Sequence, residues 1–355
     1  MIEFDNNEPR INEPMSESES TATADKPRLT PSWIVRQLDQ YVIGQEEAKR
    51  ILAVVAYSHL RKLTRTSREV EIAKSNVLLI GPTGTGKTLL CETLARVLKL
   101  PFVTVDATSL AQSRRLPDEL EAVLQRLIDQ AGGDMSKAQH GIVFIDEVDK
   151  LKATELAVQH SSGESVQHAL LKVMEGRPVK LSDGRLIDTT NILFICGGTF
   201  VGLDTITANN HAYGFVSLTS TENQQILERL NNRIKPTDLF DYGLIPEFAG
   251  RLPVIASFHP LSRPLLVRIM NEPRNALYSQ FREILKNEGV ELTIAPRVFE
   301  QIAELAVEYK VGARGLRGIF EEMINPVLFV VPDRPEIRQV TIHSLFEDPV
   351  FATQS

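Results

Sequence analysis

Residues 81–88 read GPTGTGKT. Gly81, Pro82, Thr83, Gly84, Thr85, Gly86, Lys87 and Thr88, with Leu89 next, follow the order of a phosphate-binding loop. Glycines let successive backbone N–H groups converge on phosphate oxygens. A helix opening at Lys87 would point its positive end at the same anion. Lys87 supplies a mobile cation for β- and γ-phosphates, and the Thr88 hydroxyl is a hard oxygen ligand suited to Mg2+. A second constellation is IVFIDE, residues 142–147. There an apolar strand ends in two carboxylates. Asp146 emerges where a Mg2+ shell needs an oxygen, and Glu147 can orient and deprotonate an attacking water. No Asn-Lys-x-Asp guanine-reading motif follows, which favours ATP over GTP. Two arginines complete the set: Arg251 in LIPEFAGRLPVI and Arg314 in VGARGLRG. A guanidinium can stabilise charge on a transferring phosphoryl group, from the same chain or a neighbour. On composition alone, each is equally a solvated surface charge.

Holding these groups together requires alternating elements. Strand patterns at 76–80, PFVTVDA, GIVFIDE and NILFICGG alternate with helical patterns at about 87–99, 117–131 and 164–176. The helix at 117–131 places Leu120, Val123, Leu124, Leu127 and Ile128 on one face. This alternation implies an α/β fold with a parallel sheet covered on both faces. Upstream, Thr30 or Ser32 can cap a helix carrying Trp33, Ile34 and Leu38, and QEEAKRILAVVAYSHLRKL is a long amphipathic helix. The polar stretch 67–75 reads as a loop, and RPVKLSDGRLIDTTN as a short hairpin. Pro260 and Pro264 mark a change of character. Beyond them helical patterns dominate, at about 263–287, 296–309 and 313–329, with strand-like ELTI and RQVTIH. The expected organisation is an acidic disordered tail over 1–28, a large P-loop domain over 29–258, a smaller mainly helical domain over 259–345 and a tail over 346–355.

The chain has 355 residues, 43% hydrophobic and 24% charged, the balance of a soluble globular protein. A net charge of −7 argues against a surface built to coat nucleic acid. The only cysteines, Cys91 and Cys196, lie in apolar contexts, so a disulfide is not expected and a four-thiolate zinc site is excluded. MIEFDNNEPR has neither the cationic start nor the apolar core of a signal peptide. No apolar run approaches the roughly 18 residues of a membrane span. A cytoplasmic protein is expected.

The motifs VIGQEEAK, GPTGTGKT, IVFIDEVDK, SSGESVQHALLKVMEG, NILFICGG, LIPEFAGRLPV and GARGLRG stand in the order seen in the ClpX family. The chain resembles these AAA+ ATPases, which unfold proteins for the ClpP peptidase, over roughly residues 29–345. The related HslU unfoldases carry an inserted domain for which this chain has little room. The resemblance implies an ATP-binding, Mg2+-dependent ATPase with an AAA+ large domain and a small lid domain. It implies that Val42 and Ile43 line the adenine pocket, that Gly84, Lys87 and Thr88 hold phosphates and Mg2+, and that Asp146 and Glu147 are the Walker B pair. It further implies that Arg251 is an arginine finger reaching a neighbour's ATP, that Arg314 is sensor 2 and that Thr199 is a candidate sensor 1. A finger acting between subunits makes a homo-oligomeric ring, hexameric in the family, the natural assembly.

Departures from the family are as informative. An acidic tail stands where the family has a four-cysteine zinc domain. Arg114-Arg115-Leu116-Pro117 stands where the family's pore loop reads Gly-Tyr-Val-Gly. Arginines there would prefer acidic or aromatic partners, or the loop has drifted from a gripping role. His160 replaces an arginine–aspartate step in the second pore loop. Tyr213-Gly214-Phe215 stands where the family docks ClpP through Ile-Gly-Phe. The expected function is an ATP-driven protein unfoldase acting on a protein client, with a ClpP-like peptidase as a possible partner. The alternative is a non-processive AAA+ remodelling factor for a dedicated client. A DNA-associated AAA+ loader is a weaker third reading, opposed by the acidic balance.

Overall fold

The computed structural model describes residues 29–63, 74–152, 163–212 and 234–353. The N-terminal tail, the start of the 67–75 loop, His160 and Tyr213–Phe215 lie outside the described residues.

The chain enters through α1 (Pro31–Leu38), capped by the Thr30 hydroxyl, which accepts from the Trp33 N–H at 3.2 Å. A turn leads to α2 (Glu46–Leu63). Lys49 on α2 is buried, and its ammonium ties that turn together by reaching Asp39, Glu46 and the Val42 carbonyl. Then follow β1 (Val77–Ile80), α3 (Lys87–Leu98), β2 (Phe102–Asp106), α4 (Ala107–Gln112), α5 (Leu116–Gln130), α6 (Met135–Ala138), β3 (Ile142–Asp146) and α7 (Gly163–Met174). The expected hairpin is present as β4 (Pro178–Lys180) against β5 (Leu186–Asp188), antiparallel. β6 (Leu193–Gly198), α8 (Leu203–Ala212), α9 (Pro236–Tyr242), α10 (Pro246–Gly250) and β7 (Val254–Ser257) complete the large domain.

Five of these strands form one parallel sheet in the order β2-β3-β6-β1-β7. Residues of β1 and β6 are buried throughout, as strands covered on both faces must be. Alternation sends Leu78, Ile80, Val143 and Ile145 into a core with α5 and α7. It sends Val77, Leu79, Ile142 and Phe144 into a second core beneath α1, α2 and α3. All three central strands therefore end at one edge, the edge at which parallel α/β sheets bind ligands.

The small domain comprises α11 (Arg263–Asn271), α12 (Leu277–Asn287), β8 (Glu291–Ile294), α13 (Pro296–Glu308), α14 (Gly312–Val330), β9 (Ile337–Ile342) and β10 (Val350–Thr353). Its core stacks Phe281 on Phe320, ring centroids 5.2 Å apart. The single helix expected at 263–287 is broken in two. Pro273 has no N–H to give the carbonyl four residues back, so the first helix stops there. The segment 346–355, set apart as a tail by its sequence, contributes β10 instead, which pairs antiparallel to β9.

Candidate nucleotide-binding site

The loop from β1 to α3 is built by glycine. At Gly81 a Cβ would lie 2.4 Å from the Phe258 carbonyl oxygen, so only a bare backbone lets the loop leave the sheet there. Gly84 and Gly86 adopt positive φ, +78° and +97°, which glycine alone reaches without strain. Gly86 caps α3 without a side chain, so the first N–H groups of α3 open toward the cleft. Lys87 is only 8% exposed. Its ammonium curls inside the loop, donating to the Gly81 carbonyl at 2.6 Å and the Pro82 carbonyl at 3.0 Å. Burial depresses its pKa; Asp146 and Asp149 oppose that shift, and Arg314 adds to it.

The carboxylates arrive at the end of β3. Asp146 Oδ2 accepts a hydrogen bond from Thr88 Oγ1 at 3.2 Å, so the loop and β3 meet through the two predicted cation ligands. Glu147 follows with φ +58°, which ends the strand. Burial, then the neighbouring charges of Asp106, Asp146 and Asp149, raise its carboxyl above the usual range, against a lowering by Lys150.

A third carboxylate, Asp149, escaped the reading of the sequence. It is 2% exposed. Its Oδ1 accepts the Thr199 N–H at 3.2 Å and its Oδ2 the Thr199 hydroxyl at 3.0 Å. Gly198 permits this approach, because a Cβ there would sit 2.6 Å from Asp149 Oδ1. The signal was a third acidic residue in IDEVDK, placed by a short 3-10 turn. Gln45 was also missed. Its amide donates to the His259 carbonyl at 2.8 Å and accepts the His259 N–H at 3.0 Å, tying the start of α2 to the segment that leads into the small domain.

The small domain closes the site. The Ala313 N–H donates to the Gly84 carbonyl at 3.3 Å, so the start of α14 rests on the loop. Arg314, in the first turn of α14, shares a cleft of about 210 Å3 with Lys87, Thr88, Asp146, Glu147 and Thr199. Thr83, Gly84, Gly86 and Leu89 line the same cleft. The geometry thus unites Arg314 with the loop and both carboxylates. Val42 and Ile43 lie instead in the turn before α2, where Val42 is packed in the core and the adjacent Gly44 faces Leu265 of the small domain. Arg251 is not in the cleft. It follows α10 and pairs with Glu175. Arg114 and Arg115 precede α5 on the surface, and Arg115 lies 3.7 Å from Asp118.

A glycine loop opening a helix, a strand-end carboxylate pair and a lid arginine in one interdomain cleft define a P-loop ATPase of the AAA+ class. Comparison with known proteins agrees. Residues 72–255 match the AAA domain (Cdc48 subfamily), and residues 261–341 match the C-terminal, D2-small domain, of ClpB protein. The ATP-dependent Clp protease ATP-binding subunit ClpX 3 of Methylococcus capsulatus is 44% identical over 342 residues, covering 88% of this chain and 79% of that protein. The ATP-dependent Clp protease ATP-binding subunit ClpX of Azotobacter vinelandii is 42% identical over 338 residues, covering 88% and 77%. The chain belongs to the ClpX family of AAA+ ATPases. It is an ATP-hydrolysing enzyme of the unfoldase and chaperone type. No helix among the described residues is long and apolar enough to cross a membrane.

Proposed function

We propose that this chain hydrolyses Mg2+-bound ATP in the interdomain cleft and uses the resulting domain motion to unfold a protein client within a hexameric ring in the cytoplasm. The observation that carries this reading is the meeting of Lys87, Thr88, Asp146, Glu147 and Arg314 in one cleft. The residues fit the ligands. The loop's N–H groups and Lys87 would hold the β- and γ-phosphates. Thr88 and Asp146 would offer a cation two oxygens. Among the described residues no cluster of His, Cys, Asp and Glu could hold a metal alone. The remaining ligands of a Mg2+ would therefore be phosphate oxygens and water, the habit of that ion. When bound, Mg2+–ATP supplies a phosphoryl group whose charge the cation partly neutralises. Glu147 would take the proton of the attacking water, and Thr199, anchored by Asp149, would orient what lies beside the terminal phosphate. Arg314 would make the lid respond to the nucleotide, with Val42 and Ile43 toward the base.

Arg251 would complete a neighbour's site. It follows α10 just ahead of β7, and its carbonyl is bonded to Asn76, the residue before β1. The cleft lies beyond the other end of that strand, and four strand residues rise about 13 Å. A guanidinium at the far end serves another subunit better than its own. Both relatives are named as ATP-binding subunits of an ATP-dependent Clp protease. We extend that association to this chain, with Tyr213, Gly214 and Phe215 as its contact with a ClpP-like peptidase.

Glu147→Gln tests the hydrolytic assignment. The variant should keep nucleotide binding and lose turnover, because the cation ligands stay while the base is gone. Turnover at the normal rate would remove Glu147 from its role. Mixing Arg251→Ala with Glu147→Gln subunits should restore part of the activity that each lacks alone, since some mixed interfaces pair an intact base with an intact arginine. Arginine fingers contribute about 10³–10⁵ in rate in GTPases, so even a minority of repaired sites is measurable.

A further inference from the structure

Arg251 is held at both ends. Its backbone carbonyl accepts a hydrogen bond from the buried Asn76 side chain at 3.1 Å. Its guanidinium donates from Nη2 to Glu175 Oε1 at 3.2 Å. The other oxygen of the same carboxylate, Oε2, lies 2.8 Å from Arg177 Nη2. Glu175 is only 20% exposed, whereas Arg251 and Arg177 are 52% and 68% exposed. Glu175 directly follows α7 and Arg251 directly follows α10, and the two helices pack together. The carboxylate therefore stands on a rigid element, and it reaches outward to two cations at the surface.

Such an arrangement has little value for stability. Ion pairs whose cations lie at the surface contribute little, and holding a long arginine in one conformation costs side-chain entropy. What it does confer is direction. Arg251 has no partner in its own cleft to hold it, and a guanidinium that must meet a phosphate on another molecule gains from being pre-aimed. The distribution of oxygens also matters. Each guanidinium engages a different carboxylate oxygen, so Glu175 keeps Arg177 as its counter-ion when Arg251 turns away. The mostly buried carboxylate is then never left without a cation, which would be the costly state.

We propose that Glu175 is the positioning residue of Arg251. It sets the direction in which the guanidinium leaves the surface toward a neighbouring subunit's cleft, with Asn76 fixing the backbone and Arg177 making the release reversible. This rests on the reading of Arg251 as completing a neighbour's site.

The test uses the full-length chain at a concentration where it is assembled, with ATP turnover measured for Arg251→Ala, Glu175→Ala, Glu175→Gln and the Arg251→Ala/Glu175→Ala double variant. Glu175→Ala should lower kcat about tenfold to a hundredfold, up to the scale on which misplacing a catalytic group by about 1 Å acts, with KM for ATP unchanged. Glu175→Gln should recover part of that loss, because its amide oxygen still accepts one guanidinium. The double variant should be no slower than Arg251→Ala alone, since a positioner has nothing left to position. If Glu175→Ala does not assemble, Glu175→Gln carries the comparison. Normal kcat in both Glu175 variants beside a slow Arg251→Ala overturns the proposal and leaves the shared-site reading intact. A double variant slower than Arg251→Ala by the full Glu175→Ala factor overturns it too, by giving Glu175 a separate task. Full turnover in Arg251→Ala ends the shared-site reading, and this proposal with it.

Discussion

Asp149 shows how much of a site can rest on a residue that does not itself line the cleft. Buried, with both oxygens engaged by Thr199, it fixes a side chain that lines the cleft wall. It also adds negative charge beside Lys87 and Glu147. Replacing it leaves the partly buried Thr199 N–H and hydroxyl without the acceptor that fixes them. Asp149→Ala should therefore lower turnover by one or two orders of magnitude while ATP still binds, because the loop and the hydrogen bonds of Lys87 to Gly81 and Pro82 do not involve Asp149. Thr199→Val should reproduce most of the defect, since it removes the hydroxyl that Asp149 holds. Comparison of kcat with nucleotide affinity for the two variants checks this. Unaltered kcat in Asp149→Ala would remove the residue from the site's workings.

Among the elements, the turn out of β1 is the least tolerant. Gly81 faces the Phe258 carbonyl across the β1–β7 boundary, and its N–H donates to the Gly198 carbonyl on β6. A methyl there has no room, because the obstacle is backbone rather than a flexible side chain. Gly81→Ala should weaken ATP binding at least tenfold and lower thermal stability, since the ends of three strands must shift together. Measured nucleotide affinity and the unfolding midpoint check it. Gly132, where an added Cβ meets nothing within 4 Å, is the contrasting position, and Gly132→Asn should leave affinity unchanged. This scale is also where sequence reading succeeded and failed. The β1–loop–α3 unit, β3 with its carboxylates, and α5 were legible because each is specified by neighbours in the chain. The Asp149–Thr199 contact was not, because it joins the ends of β3 and β6, residues 50 apart that become adjacent only when the sheet orders its strands. Gln45 and His259, 214 residues apart, were hidden for the same reason. The break at Pro273 was visible as a proline, but the amphipathic pattern on both sides of it runs on as if one helix were present.

For the molecule as a whole, pH reaches the fold through its other edge, near the starts of the strands. His59 near the end of α2 is half-buried, and among the described residues its buried Nε2 has no hydrogen-bond partner. Burial, with Lys74, Lys62 and His140 nearby, pushes its pKa down to about 4. Between pH 6.5 and 4 the unfolded chain binds a proton at His59 that the folded chain does not. Stability therefore falls as pH drops through that window, and this loss is absent above pH 6.5. A shift of this size corresponds to about 3 kcal/mol. His59→Gln, which cannot titrate, should show a shallower decline in unfolding midpoint between pH 6.5 and 4.5 than the unchanged chain. Parallel curves would mean that His59 is charged in the folded state.

Asn76 sits immediately before β1, and Gly81 immediately after it. One short strand thus links the grip on Arg251 to the loop that faces the cleft. In a ring of the proposed kind, each subunit would receive through its loop and transmit through its arginine, with only β1 between. Inlet and outlet are different surfaces, so the contact between subunits is heterologous and must run head to tail. A circuit wired this way has a sense of rotation. A break in one subunit silences the neighbour it feeds and leaves the neighbour that feeds it supplied.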